Sequence, residues 1–244
     1  MSTSSTAKVV IRIIGGATVA ALVLSGGYAV ATEVASTERT DRMSLDINGI
    51  TSLTARTDIG SVRVEQGPTS SGKVEAQVHR KGSWRLPTVD HHRQGDSLVL
   101  SGDCPSGFAN RCRTDWVIRV PVALDVKATT SVGDLFARGE FGSASLETAT
   151  GDVTTTSFRS RSTRVLSNVG DVSLNFVTPP QHVDVISSVG DVQVLVPDDG
   201  TAYDVSATTS LGKHETTVPV DSTSTRSIRV TSSVGDSRVL ASTP

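Results

Sequence analysis

The chain has 244 residues, among them 33 Ser, 30 Thr and 34 Val, so three residue types make up about 40% of it. Such a sequence is too apolar and too weakly charged for a disordered tail, and it lacks the Leu, Ala, Glu and Lys richness of a helical bundle. Val and Thr suit a pleated, half-buried surface, so the composition predicts many short β-strands in one or two domains.

At the N-terminus, Lys8 and Arg12 precede a run, residues 13–31, that carries no charge. Nineteen residues at about 1.5 Å each span about 29 Å, close to the thickness of a hydrocarbon core. The two cations before the run, and Glu33 and Glu38 after it, orient the N-terminus toward the cytoplasm and the bulk of the chain outward. The spacing predicts a cytoplasmic segment at 1–12, a signal-anchor helix at 13–32, a polar stalk at 33–45 and an extracytoplasmic β-repeat domain at 46–244. The protein is then a single-pass protein of the cell membrane. The alternative is a cleaved signal peptide and a secreted product: Gly26-Gly27 breaks the helix, and Ala29-Val30-Ala31 fits a small-x-small cleavage site. No Cys follows the apolar run, which argues against a lipoprotein anchor. The exported part carries 21 bases against 25 acids. That is no footprint for nucleic acid, which requires a basic patch or stripe.

After the stalk the first regular feature surrounds Gly60, and its later copies make it intelligible. Ser-Val-Gly-Asp recurs at 131–134, 188–191 and 233–236, with relatives at 58–61, 149–152, 168–171 and 210–213. The central glycines are Gly60, Gly133, Gly151, Gly170, Gly190, Gly212 and Gly235. From Gly133 onward this is a tandem repeat of about twenty residues. Alternating residues flank each glycine, the mark of strands with one buried face. Seven and five before it stand mostly Leu, Val, Ile or Ala; two and four after it the pattern continues, as in Val172 and Leu174. Three before it every copy has a hydroxyl: Thr57, Thr130, Thr148, Ser167, Ser187, Thr209 and Ser232. One before it stand Ile59, Val132, Thr150, Val169, Val189, Leu211 and Val234, which the alternation also assigns to the interior. Each copy reads as strand, Gly-Asp turn, strand.

Two architectures satisfy this pattern. Gly can lead a type II′ turn, so seven hairpins can build an antiparallel β-sandwich. Alternatively each copy is one coil of a β-solenoid of the right-handed β-helix type. A hairpin sheet asks only for apolar inward positions, whereas a solenoid stacks every column on itself. The unbroken hydroxyl column favours the solenoid, with Ser and Thr hydrogen-bonding along the ladder. Residues 61–132 interrupt the period. Strands are expected at 73–79, 97–101 and 116–120, as a cap or inserted hairpin region. Cys104 and Cys112 fall here, and a lone pair in an exported protein predicts a disulfide closing the loop 104–112.

The candidate chemistry is sparse. Asp134, Asp152, Asp171, Asp191 and Asp236 follow their glycines, and in a solenoid they stack. Carboxylates about 4.8 Å apart repel by roughly 0.9 kcal/mol in water. A row of calcium sites would offset that; so would turns in which each carboxylate accepts its own local backbone N–H groups. The repeat lacks the several glycines per nine residues of calcium-binding β-rolls, so the aspartates are weak metal candidates beside their turn role. Gly95-Asp96-Ser97-Leu98 spells a serine-esterase block, but no Asp-x-x-His partner segment exists, and a serine without its base is no nucleophile. His91-His92 lacks a third ligand at metal spacing and reads as polar loop. No catalytic residue and no cofactor are expected. His214, beside Lys213 where other copies have Asp, marks decay of the repeat toward its end. Ser237 puts a polar residue in what reads as the last coil.

Taken together, the exported N-terminal helix, the 50–64 opening, the Cys104/Cys112 loop and the serial Ser-Val-Gly-Asp-Val units resemble a family of unknown function. It is the bacterial "putative-adhesin" β-strand-repeat family, in its actinobacterial type, over roughly 45–240. The resemblance implies a solenoid-like or sheet-rich domain with no established enzymatic residues, and "adhesin" transfers little mechanism. The expectation is a non-catalytic, membrane-anchored module that binds or senses at the envelope surface. Its partner would be an envelope protein, a glycan or a lipid. The competing expectation is an extracytoplasmic hydrolase of polysaccharides or esters on a β-helix scaffold.

Overall fold

The computed structural model describes residues 37–67, 72–83, 85–105, 111–121 and 123–242. The expected anchor helix therefore lies outside the described residues. Among those residues the chain is all-β. Strand β1 (Thr37–Asp46) leads into β2 (Ser52–Ile59) and β3 (Val62–Gln66), which flank Gly60. Then come β4 (Lys73–Gly82), β5 (Thr88–Gln94), β6 (Ser97–Asp103) and β7 (Arg113–Val120). The repeats follow as β8 (Asp125–Val132), β9 (Leu135–Thr150), β10 (Val153–Val169), β11 (Val172–Asn175), β12 (His182–Val189) and β13 (Val192–Pro197). The chain closes with β14 (Asp204–Leu211), β15 (His214–Thr216), β16 (Ser227–Val234) and β17 (Ser237–Ser242).

The repeats stack in parallel, so the solenoid arrangement is the correct one and the hairpin sandwich is not. One wall runs β6-β2-β8-β9-β10-β12-β16-β14. The other runs β7-β3-β9-β10-β11-β13-β17-β15. β9 and β10 belong to both walls because each leaves one corner and runs on to the next. Like residues meet in register: Val165 pairs with Val185 and Val185 with Val230, all fully buried. Where the chain turns from one rung to the next, Phe141, Phe158 and Phe176 stack with ring centroids 5.6 and 5.3 Å apart.

The order of the rungs is not the order of the sequence. From Gly60 to Gly190 neighbouring copies stack in turn. The Gly235 copy, β16–β17, then lies between the Gly190 rung and the Gly212 rung. The outermost rung is therefore β14–β15. The other end repeats the device, since β6–β7 packs outside the Gly60 rung. This corrects one expectation and sharpens another. Ser237 is not in the terminal rung, and its side chain is fully buried. The decayed copy with Lys213 and His214 is the one that ends the stack.

The two ends differ in cover. At the β6–β7 end, β4 pairs antiparallel with β7 and β1 with β4, while β5 pairs antiparallel with β6. Residues 37–45 are thus strand rather than polar stalk, because Met43 and Leu45 pack against the core on alternate positions. His91 and His92 are also strand residues, in β5, and not loop. At the β14–β15 end, no described strand pairs with the outer edge. Val205 and Ala207 are only partly buried there, and His214 and Thr216 are exposed.

Candidate functional site

The repeated feature is the corner, so the site is built there. Every corner glycine has positive φ, between 129° and 152°, a region that L side chains rarely enter. A second constraint is contact. A Cβ on Gly170 would lie 2.1 Å from the carbonyl oxygen of Gly151, and the same holds from rung to rung. Glycine is therefore needed both to turn the chain and to let backbones stack at strand spacing.

The aspartates use that stacking. The backbone N–H of Asp152 donates to Oδ1 of Asp134 (3.0 Å), that of Asp171 to Asp152 (2.9 Å), and that of Asp191 to Asp171 (2.8 Å). The N–H of Asp236 donates to Asp191 (2.9 Å) and that of Lys213 to Asp236 (2.9 Å). At the other end, the N–H of Ser61 donates to Oδ1 of Asp115 (2.8 Å). Each carboxylate thus accepts the N–H of the following rung, not its own as the turn reading expected. This explains Lys213. The last rung has no following N–H to satisfy, so its corner residue need not be an acceptor. Cations sit along the row: Arg238 pairs with Asp236 and lies 3.7 Å from Asp191, and Arg113 donates to Asp115 (2.6 Å). That bond holds the Arg113 guanidinium above its ordinary pKa. Among the described residues, no group of three or more metal-ligating side chains converges.

The hydroxyl column also differs from expectation. Thr130, Thr148 and Thr209 donate to the corner carbonyls of Gly60, Gly133 and Gly235 at 2.9, 3.2 and 2.8 Å. They reach the adjacent rung's backbone rather than one another. Ser187 and Ser232 in the same column find no partner among the described residues. Ser167, in the same column, turns instead to the carbonyl of its own corner glycine, Gly170, at 3.5 Å.

The residue before each glycine faces out, not in. Ile59, Val132, Val169, Val189, Val234 and Leu211 are 38–69% exposed. The positive-φ glycine turns the chain through the corner, so the strict alternation ends two residues before it. The outcome is an aliphatic ridge, interrupted by Thr150, running beside the aspartate row for roughly 29 Å at strand spacing. Sequence reasoning placed these side chains in the core. The signal it missed is that an apolar column next to a turn glycine lies on the turn itself.

At the β6–β7 rung the corner is replaced. Cys104 and Cys112 form a disulfide with Cα atoms 5.7 Å apart, joining the end of β6 to the start of β7. Trp116 lies buried just beyond. The esterase-like block sits at the β5–β6 turn, where Asp96 accepts the Thr51 hydroxyl at 2.7 Å. That bond holds its carboxyl below the usual range.

No curated protein sequence matches the chain. Several solved structures align with most of the chain at low identity. One is a "putative adhesin" from Bacteroides fragilis: 16% identical, TM-score 0.49, covering 83% of this chain and 97% of that one. Another is a "putative cell adhesion protein" from Clostridium sporogenes, 11% identical, TM-score 0.45, covering 84% of this chain and 100% of that one. A third is a "putative lipid binding protein" from Parabacteroides distasonis, 10% identical, TM-score 0.31, covering 84% of this chain and 97% of that one. The model of one family, toastrack DUF4097, matches residues 36–243, so the chain belongs to the toastrack DUF4097 family.

Proposed function

We propose that the protein is a non-catalytic binding module of the bacterial envelope, displayed outside the cell by the apolar segment 13–31. The observation that carries this reading is the corner ridge. Six aliphatic side chains point into solvent at matching positions. Thr150 occupies the same column, so the fold does not require an apolar residue there. A run of exposed apolar side chains rimmed by polar groups marks an interaction surface, as singly scattered ones do not. The neighbouring carboxylates serve the backbone. They lie in one column on an outer edge, whereas glycoside hydrolysis requires two acids on either side of a substrate groove. The hydrolase reading therefore gains no support from this geometry.

The test is retention of envelope components by the immobilised full chain. A triple variant, Val132→Thr, Val169→Thr and Val189→Thr, keeps β-branched shape and strand preference while wetting the ridge. The wild type is expected to retain a component that the triple variant releases. Equal retention by both, or none by either, contradicts the reading.

A further inference from the structure

We propose that the side of the stack where the chain passes between rungs binds an acidic polysaccharide. A cleft of about 500 Å³ lies there, lined by Glu140, Phe141, Arg159, Arg161, Gln181 and Arg226 among others. Its lining carries three guanidinium groups against one carboxylate, on a protein whose exported part is net acidic. None of the three arginines forms an ion pair with a described residue.

Register fixes how the cations are spaced. Ser162, His182 and Ser227 align on successive strands. The N–H of Gln181 donates to the Arg161 carbonyl (3.0 Å), and that of Ser227 to the Gln181 carbonyl (2.8 Å). Arg161, Gln181 and Arg226 therefore occupy one column, with the two arginines roughly 10 Å apart across two rung spacings. Arg159 faces outward beside them, since Ser160 between it and Arg161 is buried. Arg226 is held in place: its Nη1 donates to the carbonyls of Pro179 (3.0 Å) and Pro180 (2.9 Å). Its remaining nitrogens form no hydrogen bond with a described residue, though the Asp199 carboxylate lies within electrostatic range of the guanidinium.

Guanidinium groups favour planar oxyanions such as carboxylates, which they bind through two parallel hydrogen bonds. Two such groups with a neutral amide between them suit a chain charged at every second unit. An extended peptide repeats on one face about every 6.8 Å and falls out of step. A polysaccharide with a uronate on alternate sugars matches the rhythm. The cleft is concave and the chain beyond residue 32 carries a net negative charge overall, so a single polymer strand fits better than a flat anionic bilayer.

This inference deepens the binding reading but uses a different surface. Hyaluronan oligosaccharides, with one carboxylate per two sugars, are the probe, titrated calorimetrically into the full chain beside neutral dextran. Binding to hyaluronan alone is expected, weakening with salt. Arg159→Gln with Arg161→Gln should reduce affinity about tenfold or more, the scale of charge-assisted hydrogen bonds. Arg138→Gln with Arg229→Gln removes the same charge elsewhere and should change it less than about twofold. The ridge variant should bind hyaluronan like the wild type, which separates failure of this site from failure of the ridge. No binding, equal binding of dextran, or equal loss in the two double variants overturns the proposal. So does retention only of phosphatidylglycerol vesicles.

Discussion

The two ends of the stack solve the same problem in opposite ways. At both, the rung nearest the chain terminus is tucked one place in, and an internal segment forms the outermost rung. The β6–β7 end is then closed. Antiparallel β1, β4 and β5 cover it, a disulfide replaces its glycine corner, and its edge strands carry Glu38, Arg39, Asp41 and Arg42 on β1 and Asp90 and Arg93 on β5. Such charges blunt edge-to-edge pairing. At the β14–β15 end no described strand gives such cover: Leu211 is 69% exposed, and His214, which the alternation would turn inward, is exposed too. In a solenoid, stability is a sum of rung and neighbour contributions. A rung held on both sides should therefore resist damage that an end rung translates into local fraying.

Several substitutions put numbers on that contrast. Gly170→Ala drives a Cβ into the Gly151 carbonyl within a rung clamped on both sides. It should lose more than about 4 kcal/mol in urea unfolding, with failure to fold as the extreme outcome. Gly212→Ala makes the equivalent clash with Gly235, but in the end rung, which can lift away. Its global loss should stay under about 2 kcal/mol, with faster amide exchange confined to 204–216. Equal losses would mean that the stack is one cooperative block with no weak end.

Replacing Cys104 and Cys112 by Ser should cost about 2–3 kcal/mol by loop entropy, and the added exchange should appear in β6 and β7 while β14 and β15 stay unchanged. Tyr203 sharpens the comparison near the open end. It is fully buried, its hydroxyl has no partner among the described residues, and burial pushes its pKa up to about 12. Below pH 10 both states keep the proton. Between pH 10 and about 12 the unfolded chain releases it while the folded chain retains it, so stability falls as pH rises. The loss across that window should be about 2–3 kcal/mol, seen in alkaline denaturation and absent in Tyr203→Phe. The smallest effect is expected from Asp171. Asp171→Ala strands the Asp191 N–H at an exposed corner and should cost about 1 kcal/mol, while Asp171→Asn keeps an acceptor and should be near neutral. Calcium-dependent melting of the wild type that Asp171→Asn abolishes would instead make the row a cation site.

Much of this was legible because stacking forces like residues into like columns. Gly-Asp corners, alternation around Val172 or Val185 and the hydroxyl column all follow from that rule. The same uniformity hid the rung order: the Gly190, Gly212 and Gly235 copies carry interchangeable columns, so any of them can stack on any other. Lys213 was the available clue, since only a terminal corner can dispense with an acceptor. Strands β1 and β5 were missed because edge strands bury one sparse face, Met43 and Leu45 in one case and Val89 in the other, among charges. The ridge was misplaced because the corner breaks the alternation just where Val189 and its counterparts sit. The arginine cleft left no mark in the sequence, since Arg161 and Arg226 meet only through the rung order.

Rung order is therefore the claim to test most directly, by cysteine pairs on the exposed ridge. Val189 pairs with Val234, and Val234 with Leu211. Adjacent rungs bring Cα atoms to about 4.8 Å, within disulfide range, while two rungs separate them by roughly 10 Å. The variant Val189→Cys with Val234→Cys should oxidise to an intramolecular disulfide under native conditions, and Val189→Cys with Leu211→Cys should not. The reverse result would put the copies in sequence order and contradict the account.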